Sequence, residues 1–289
     1  MPPVVSSQGL PLDLADRTLF APEPMRDGAH LLGRPDAARE RLAAEGCLYL
    51  RGVLARAEVL RLREAYFAAC DPVLLAPGTA PREGVFSGRV PPGLPPHGVV
   101  GHPAYAFVRS ETFRRFLASP ALTAVAGALL GGPAVMLPRR ILRHFHRGAR
   151  TASRAHTDRA YLDRGTDRVL TLWIPLGDCP PATGGLVYLE GSHALSPASY
   201  ACLRAGADRP HDRRPISHDL ARTARALGRR WLWADYAAGD VTAHLPHIVH
   251  ASLDTRTAAM RLSVDVRFVR RGDRADPRWL RDWAGDDGF

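Results

Sequence analysis

An imidazole and a carboxylate stand two residues apart in Arg154-Ala155-His156-Thr157-Asp158, and this pair constrains the chain more than any other stretch. In extended backbone, residues i and i+2 project to the same face, which sets His156 and Asp158 side by side. One further imidazole completes a two-histidine, one-carboxylate facial set. Such a set holds a non-haem Fe(II) and leaves three coordination positions open. That imidazole has to come from elsewhere in the chain.

Three histidines downstream compete for the place: His244, His247 and His250. Their spacing would put them on one helix face as a zinc cluster, but Pro246 breaks that helix. Extended backbone sets His244 and His250 on one face and His247 on the other. Further features follow the His156 pair in order. Val169 to Leu176 is an apolar run of strand character, and Thr183-Gly-Gly-Leu-Val-Tyr-Leu-Glu-Gly-Ser-His193 is a strand and turn. Gly239-Asp240-Val241 comes next, and Arg261-Leu-Ser263 lies eleven residues beyond His250.

This ordered series resembles the phytanoyl-CoA dioxygenase family of Fe(II)/2-oxoglutarate oxygenases over roughly Gly46 to Phe268. The resemblance implies a mainly β fold, a double-stranded β-helix (jelly-roll, cupin-like) core with flanking helices. It implies Fe(II), 2-oxoglutarate as co-substrate and O₂. It also selects His250, with its eleven-residue spacing to Arg261, as the third ligand beside His156 and Asp158. Arg261 takes the role of anchor for the distal carboxylate of 2-oxoglutarate, because a guanidinium is a planar, permanently charged fork for a carboxylate. Ser263 adds a hydroxyl on the same face, and Trp173 and Thr171 share a strand face as further cofactor contacts. With a carboxylate at position 158, halogenation is not expected, since related halogenases carry a small residue there. The implied reaction is hydroxylation or another oxidation of a small molecule in bacterial secondary-metabolite (antibiotic) biosynthesis. Three alternatives stay open: hydroxylation of an acyl-CoA, a metal enzyme on the same scaffold that does not use 2-oxoglutarate, and a barrel kept as a non-catalytic binding protein.

Composition narrows the partners. The chain has 289 residues, and a single domain of this size is ordinary for a β-barrel. The barrel core is expected over about 133–270, with substrate loops at about 71–104 and 194–235. The formal net charge of +10 raises the question of nucleic acid. Every basic residue is Arg, however; Lys and Asn are both missing, which reads as high-GC coding bias. The Arg residues are also spread along the chain, so no nucleic-acid partner is expected and an acidic small substrate is the better use of the charge. No run of eighteen apolar residues marks a membrane span, and the N-terminus carries no signal-peptide pattern. Four scattered cysteines, Cys47, Cys70, Cys179 and Cys202, form no C-x-x-C pair. They fit reduced thiols in the cytoplasm rather than a zinc site.

Along the chain, Pro35 to Glu45 is expected as a helix closed by Gly46, Cys47–Leu54 as a strand, and Arg56–Ala69 as a helix with Val59, Leu60, Leu62, Tyr66 and Phe67 on its apolar face. The Pro- and Gly-rich 71–104 segment is expected over the site mouth, with Arg89, His97 or His102 able to touch substrate. Helices are expected at Ser110–Leu117 and from Pro120, capped by Ser119, to Leu130. Val135–His146 is expected as one strand with Arg139, Ile141 and Arg143 on a common face. Ser217–Arg230 is expected as a helix capped by Ser217. Trp231, Trp233 and Tyr236 are expected to pack against the barrel rather than meet substrate.

Overall fold

The computed structural model describes every residue except 1–3, 150–151, 206, 210, 213 and 285–289. Part of the substrate loop expected at about 194–235 therefore lies outside the described residues. In chain order the elements are β1 (Val4–Ser7), β2 (Leu10–Asp13), α1 (Pro35–Glu45), β3 (Cys47–Leu50), α2 (Arg56–Ala68), α3 (Pro103–Phe107), α4 (Glu111–Leu117) and α5 (Pro120–Leu130). They continue with β4 (Ala134–Met136), β5 (Ile141–Phe145), β6 (Ala155–His156), β7 (Val169–Pro175), β8 (Leu186–Leu189), α6 (Pro197–Ala205), β9 (Pro215–Ser217) and α7 (Leu220–Leu227). The last four are β10 (Trp231–Leu232), β11 (Val241–His244), β12 (His250–Ser252) and β13 (Arg261–Arg270).

Two antiparallel sheets face each other as a jelly-roll. The larger runs β3-β11-β7-β13-β4, with β5 also paired to β13; the smaller runs β10-β8-β12-β6-β9. Strand periodicity explains how one sheet serves two cores. On β7 and β13, Leu170, Leu172, Ile174, Val264, Val266 and Phe268 point away from the small sheet. There they join Leu42 of α1, Val59, Leu62 and Phe67 of α2, and Leu122, Val125 and Leu129 of α5 in one apolar layer. The alternate residues look between the sheets, where Trp173 meets Tyr188, Tyr236, Tyr49 and Ile248. The small sheet's outer face packs Val187, Leu189, Trp231 and Ala251 against Val5 and Phe20 of the N-terminal segment and Leu220 of α7. Each fully buried side chain of this size contributes about 1.5–3 kcal/mol.

Several expectations hold and several are corrected. Helix α1 starts with Pro35 at its first turn and ends at Gly46 in the left-handed region, φ 77°. A side chain there would also collide with the His193 ring. The strand expected over 47–54 stops at Leu50, and β3 is an edge strand of the large sheet, so that sheet draws on residues before 133. The strand expected over Val135–His146 is two strands, because Pro138 has no N–H for the ladder. Arg139, Ile141 and Arg143 still share the side that faces the cavity described below. The 194–235 segment, expected as a substrate loop, also supplies β9 and β10 of the small sheet. Its helix is shorter than expected and is capped by Asp219, which accepts from the Arg222 N–H, rather than by Ser217. The aromatics of that stretch pack as expected: Trp231 donates to the Leu220 carbonyl, Trp233 to Ala21 and Tyr236 to Leu186. Among the described residues no helix is long and apolar enough to cross a membrane.

Arg63 is the buried charge of the helix layer that sequence patterning did not single out. Its guanidinium donates to the carbonyls of Arg82 (2.8 Å), Leu176 (2.9 Å), Glu83 (3.0 Å) and Met260 (2.8 Å). It thereby ties α2 to the end of β7 and to the residue just before Arg261. A Cβ on Gly84 would fall 2.3 Å from Arg63 Nη2, so glycine is what lets that turn close on the guanidinium. Arg63→Leu should cost roughly 3 kcal/mol or more in urea unfolding, since it leaves four carbonyls without their donor. Arg61→Leu, on the exposed face of the same helix, should stay within about 0.5 kcal/mol; equal losses would show that Arg63 is not the tie.

Candidate metal centre

Ala155 and His156 form the last extended residues of β6, and Asp158 opens a 3-10 turn, Asp158–Ala160. The pair is therefore not two residues of one strand. The turn nonetheless swings the carboxylate back beside the imidazole, held by an Arg159 N–H bond to the Pro246 carbonyl of 2.8 Å. His156 lies opposite His250 of β12 in the small sheet, and their ring centres are 4.2 Å apart. One ligand atom from each of His156, Asp158 and His250 falls within 4.8 Å of the other two, and all three residues are buried.

The backbone orients both rings. Nδ1 of His156 bonds the Arg154 carbonyl just before β6 (2.7 Å), and Nδ1 of His250 bonds the Ile248 carbonyl (3.1 Å). A carbonyl only accepts, so each Nδ1 carries the proton and each Nε2 presents a lone pair to the cluster, as metal-binding imidazoles do. Burial lowers the pKa of His156, and lowers that of His250 well below 6.5. Both rings are thus neutral at neutral pH, the form a metal needs.

Asp158 is 2 % exposed. Burial alone would raise its pKa; the Arg267 guanidinium, with His244 and His250, more than reverses that and holds it well below the usual carboxylate range. Arg267 donates to both carboxylate oxygens at 3.1 Å, and Thr171 Oγ1 donates to Oδ2 at 2.5 Å. Thr171 thus spends its hydroxyl on the carboxylate. His244 stands with Nε2 3.5 Å from Oδ2 and its Nδ1 3.1 Å from the Tyr188 hydroxyl. His247 lies apart, half-exposed and facing Asp167 at 3.8 Å.

Arg261 opens β13 one layer deeper, behind Phe145. It is 1 % exposed, yet Nε and Nη1 have no hydrogen-bond partner, while Nη2 donates to Ser263 Oγ at 3.1 Å. Its guanidinium carbon sits 4.8 Å from the Phe145 ring and 5.5 Å from that of Trp173, whose Nε1 is also unpartnered. Burial pulls the Arg261 pKa down to about 10, so the group remains charged at neutral pH. A buried fork with two idle N–H groups is shaped for an incoming carboxylate.

On the outer side of the triad lies a cavity of about 430 Å³. His156, Asp158 and Arg267 form part of its lining, with Arg139, Ile141 and Arg143 from the β4–β5 region and Trp279 and Trp283 from the C-terminal segment. Of the three substrate-loop residues named from sequence, His97 lines this cavity and bonds the Leu142 carbonyl at 2.8 Å. His102 is buried as the N-cap of α3, and Arg89 is exposed. Sequence reading passed over Arg267, Tyr161, Trp279 and Trp283. Arg267 was within reach, since it lies an even number of residues from Arg261 on one strand; the tail tryptophans carried no signal.

The phytanoyl-CoA dioxygenase (PhyH) family profile matches residues 43–263. Among solved structures, the epimerase SnoN in complex with Fe3+, alpha ketoglutarate and nogalamycin RO is 21 % identical, with a TM-score of 0.59 over 88 % of this chain and 91 % of its own. The alpha ketoglutarate dependent carbocyclase SnoK from nogalamycin biosynthesis is 21 % identical at TM-score 0.56, over 83 % of this chain and 86 % of its own. AviO1 from Streptomyces viridochromogenes Tue57 is 21 % identical at TM-score 0.54, over 84 % and 98 %. At that identity the likeness shows the fold. No curated protein matches the sequence.

The Asp158–Arg267 pair predicts a pH signature in metal-free protein. Asp158 has a depressed folded pKa, so its contribution is present above the ordinary carboxylate value of 3.8 and is lost as pH falls below it. In Arg267→Leu the carboxylate keeps its burial and loses its counter-charge, which should cost about 3–5 kcal/mol at pH 7. Because a protonated Asp158 needs no counter-charge, urea unfolding should show that gap narrowing as pH falls toward 4. A gap independent of pH would refute the electrostatic account.

Proposed function

The chain belongs to the phytanoyl-CoA dioxygenase family, and from that premise we propose that it is an Fe(II)/2-oxoglutarate-dependent dioxygenase. It would hydroxylate, or otherwise oxidise, a small molecule of bacterial secondary metabolism. The observation that carries this reading is the buried triad, whose two imidazoles are turned by backbone carbonyls so that both lone pairs meet the carboxylate. His156, Asp158 and His250 would hold Fe(II). Arg261, with Ser263 beside it, would bind the far carboxylate of 2-oxoglutarate, and its two idle N–H groups together with the Trp173 indole N–H fit that task. When bound, iron and 2-oxoglutarate supply O₂ activation, with decarboxylation to succinate and CO₂ coupled to two-electron oxidation of a substrate C–H bond.

The protein's own contribution is positioning. Arg267 and Thr171 fix the Asp158 carboxylate, the Arg154 and Ile248 carbonyls fix the imidazole tautomers, and the barrel walls keep water from the buried end. Asp158 fills the position that a coordinated halide would need, which argues for hydroxylation over halogenation. The solved relatives named above include an epimerase and a carbocyclase, reactions that differ from hydroxylation in how substrate is placed. We read the chain as one catalytic domain with a small-molecule substrate and no nucleic-acid partner. Its cysteines are all free among the described residues, which supports a cytoplasmic, reducing setting.

Anaerobic titration of the apo-protein with Fe(II) and then 2-oxoglutarate tests the assignment. A weak visible charge-transfer band should appear in the wild type and vanish in His156→Ala. In Arg261→Ala, 2-oxoglutarate should bind about 30-fold more weakly or worse, because a buried charge pair is cut. Metal uptake should extend to lower pH than ordinary histidines allow, since burial lowers the pKa of both imidazoles. No band under any of these conditions would remove the proposal and favour a non-catalytic barrel.

A further inference from the structure

Two segments that the family match leaves out help to wall the cavity beside the triad. The match runs from residue 43 to 263. It takes in the triad and Arg261 but neither the β1–β2 hairpin nor the chain beyond β13. The hairpin brings Gln8 to the cavity, and the C-terminal segment brings Trp279 and Trp283.

Gln8 and Gly9 are the two-residue turn of the hairpin, both in the left-handed region at φ 52° and 82°. Among the described residues Gln8 is the one non-glycine with positive φ, a conformation disfavoured for any residue with a Cβ. Asp254, just past β12, holds it there. Its carboxylate accepts from the Gln8 N–H (3.0 Å), the Gly9 N–H (2.8 Å) and the Ser6 hydroxyl (2.7 Å). The Gln8 side chain then donates to the Ala152 carbonyl. A primary amide has two N–H bonds and a carbonyl oxygen, so one N–H and the oxygen remain for a ligand.

The C-terminal segment is seated on the barrel at both tryptophans. Trp279 Nε1 donates to the Tyr161 carbonyl (3.2 Å), and the Trp279 carbonyl accepts from the Arg139 N–H (3.3 Å). The Trp283 carbonyl accepts from Arg109 Nη2 (2.9 Å). Tyr161 lines the same cavity with its ring centre 5.5 Å from that of His156, so the aromatic wall reaches a metal ligand. The guanidinium groups of the wall already have partners. Arg143 pairs with Asp265 (2.6 Å), Arg154 with Asp208 (2.7 Å), Arg214 with Asp212 (2.8 Å) and Arg267 with Asp158 (3.1 Å). Arg139 donates to the Arg278 carbonyl (3.2 Å), and Arg209 is exposed. What the cavity of about 430 Å³ offers a ligand is therefore flat rings and an amide.

We propose that Gln8, Trp279 and Trp283 set substrate specificity, and that the substrate is an uncharged molecule with a planar aromatic ring and a hydroxyl or carbonyl oxygen. The ring lies against the tryptophans, and the oxygen bonds the Gln8 amide. Aromatic pairs add affinity beyond the area they bury, and a site built to hydrogen-bond an oxygen rejects the analogue that lacks it. The acidic substrate expected from the net charge of +10 does not suit a wall whose guanidinium groups are paired. The assignment rests on the triad being the reacting centre, because that makes this cavity the substrate side of the site.

Calorimetric titration of the full-length metal-free protein at pH 7 tests it with four probes. These are 1-naphthol, 1-methylnaphthalene without the oxygen, decahydro-1-naphthol without the aromatic ring, and the anion 1-naphthoate. In the wild type 1-naphthol should bind about 5-fold or more tighter than either neutral analogue, and at least as tightly as 1-naphthoate. Trp283→Leu should bring the preference for the aromatic over the saturated ring below about 2-fold, and Gln8→Ala should do the same for the preference for the oxygen. 2-Oxoglutarate, titrated with Fe(II) into both variants, should keep its wild-type affinity within about 2-fold, which a merely structural role for these residues would not allow. Failure of 1-naphthol to bind, equal affinity for the three neutral probes, tighter binding of 1-naphthoate, or full preferences in both variants would each overturn the proposal. Failure of 2-oxoglutarate to bind the wild type counts against the co-substrate reading alone, since the ranking of the probes does not use it.

Discussion

A carboxylate enclosed by a β-barrel has to be neutralised where it lies, and Asp158 organises this structure around that need. Arg267 reaches it from β13, Thr171 from β7, His244 from the end of β11 and His250 from β12. Those partners come from both sheets, so satisfying one carboxylate fixes how the sheets face each other. Removing a partner strands a buried charge, whereas an apolar replacement of the whole group would leave nothing to bind a cation. The arrangement is therefore better explained by the site than by stability.

Strand β13 shows how a single segment serves both. Leu262, Val264, Val266 and Phe268 supply the apolar layer under the helices, and Arg261, Ser263, Asp265 and Arg267 form the polar row between the sheets. A register slip of one residue would bury the charges under α5 and turn the apolar set into the site. The pairing of β13 with β7 over seven residues, Ser263 to Val269 against Pro175 to Val169, makes that slip costly. Arg63 adds a constraint from the helix side by holding the Met260 carbonyl immediately before the polar row.

The polar row divides the interior into two environments. At the Arg261 end the surroundings are the Phe145 and Trp173 rings, and the guanidinium has idle donors. At the Arg267 end the wall opens into a cavity rich in arginine and aromatic rings. His156 and Asp158 of the triad line that cavity, with Arg267 bonded to the Asp158 carboxylate.

Much of this was legible in the sequence because it is local or ordered along the chain. Proline at helix starts, Gly46 and Gly131 at helix ends, and the period-two apolar strands follow from backbone sterics and burial that act within a few residues. The order of His156, Asp158, His250 and Arg261 was equally readable, and so was the family. The sequence could not show that Asp158 sits on a turn rather than a strand, that Thr171 is spent on that carboxylate, or that residues 215–232 complete the small sheet. Nor could it show Trp279 and Trp283 reaching the cavity from a tail without pattern. Those features depend on which distant strands pair and on where a charge finds its partner once water is excluded. Local propensity carries no record of such long-range choices, and only the assembled barrel makes them.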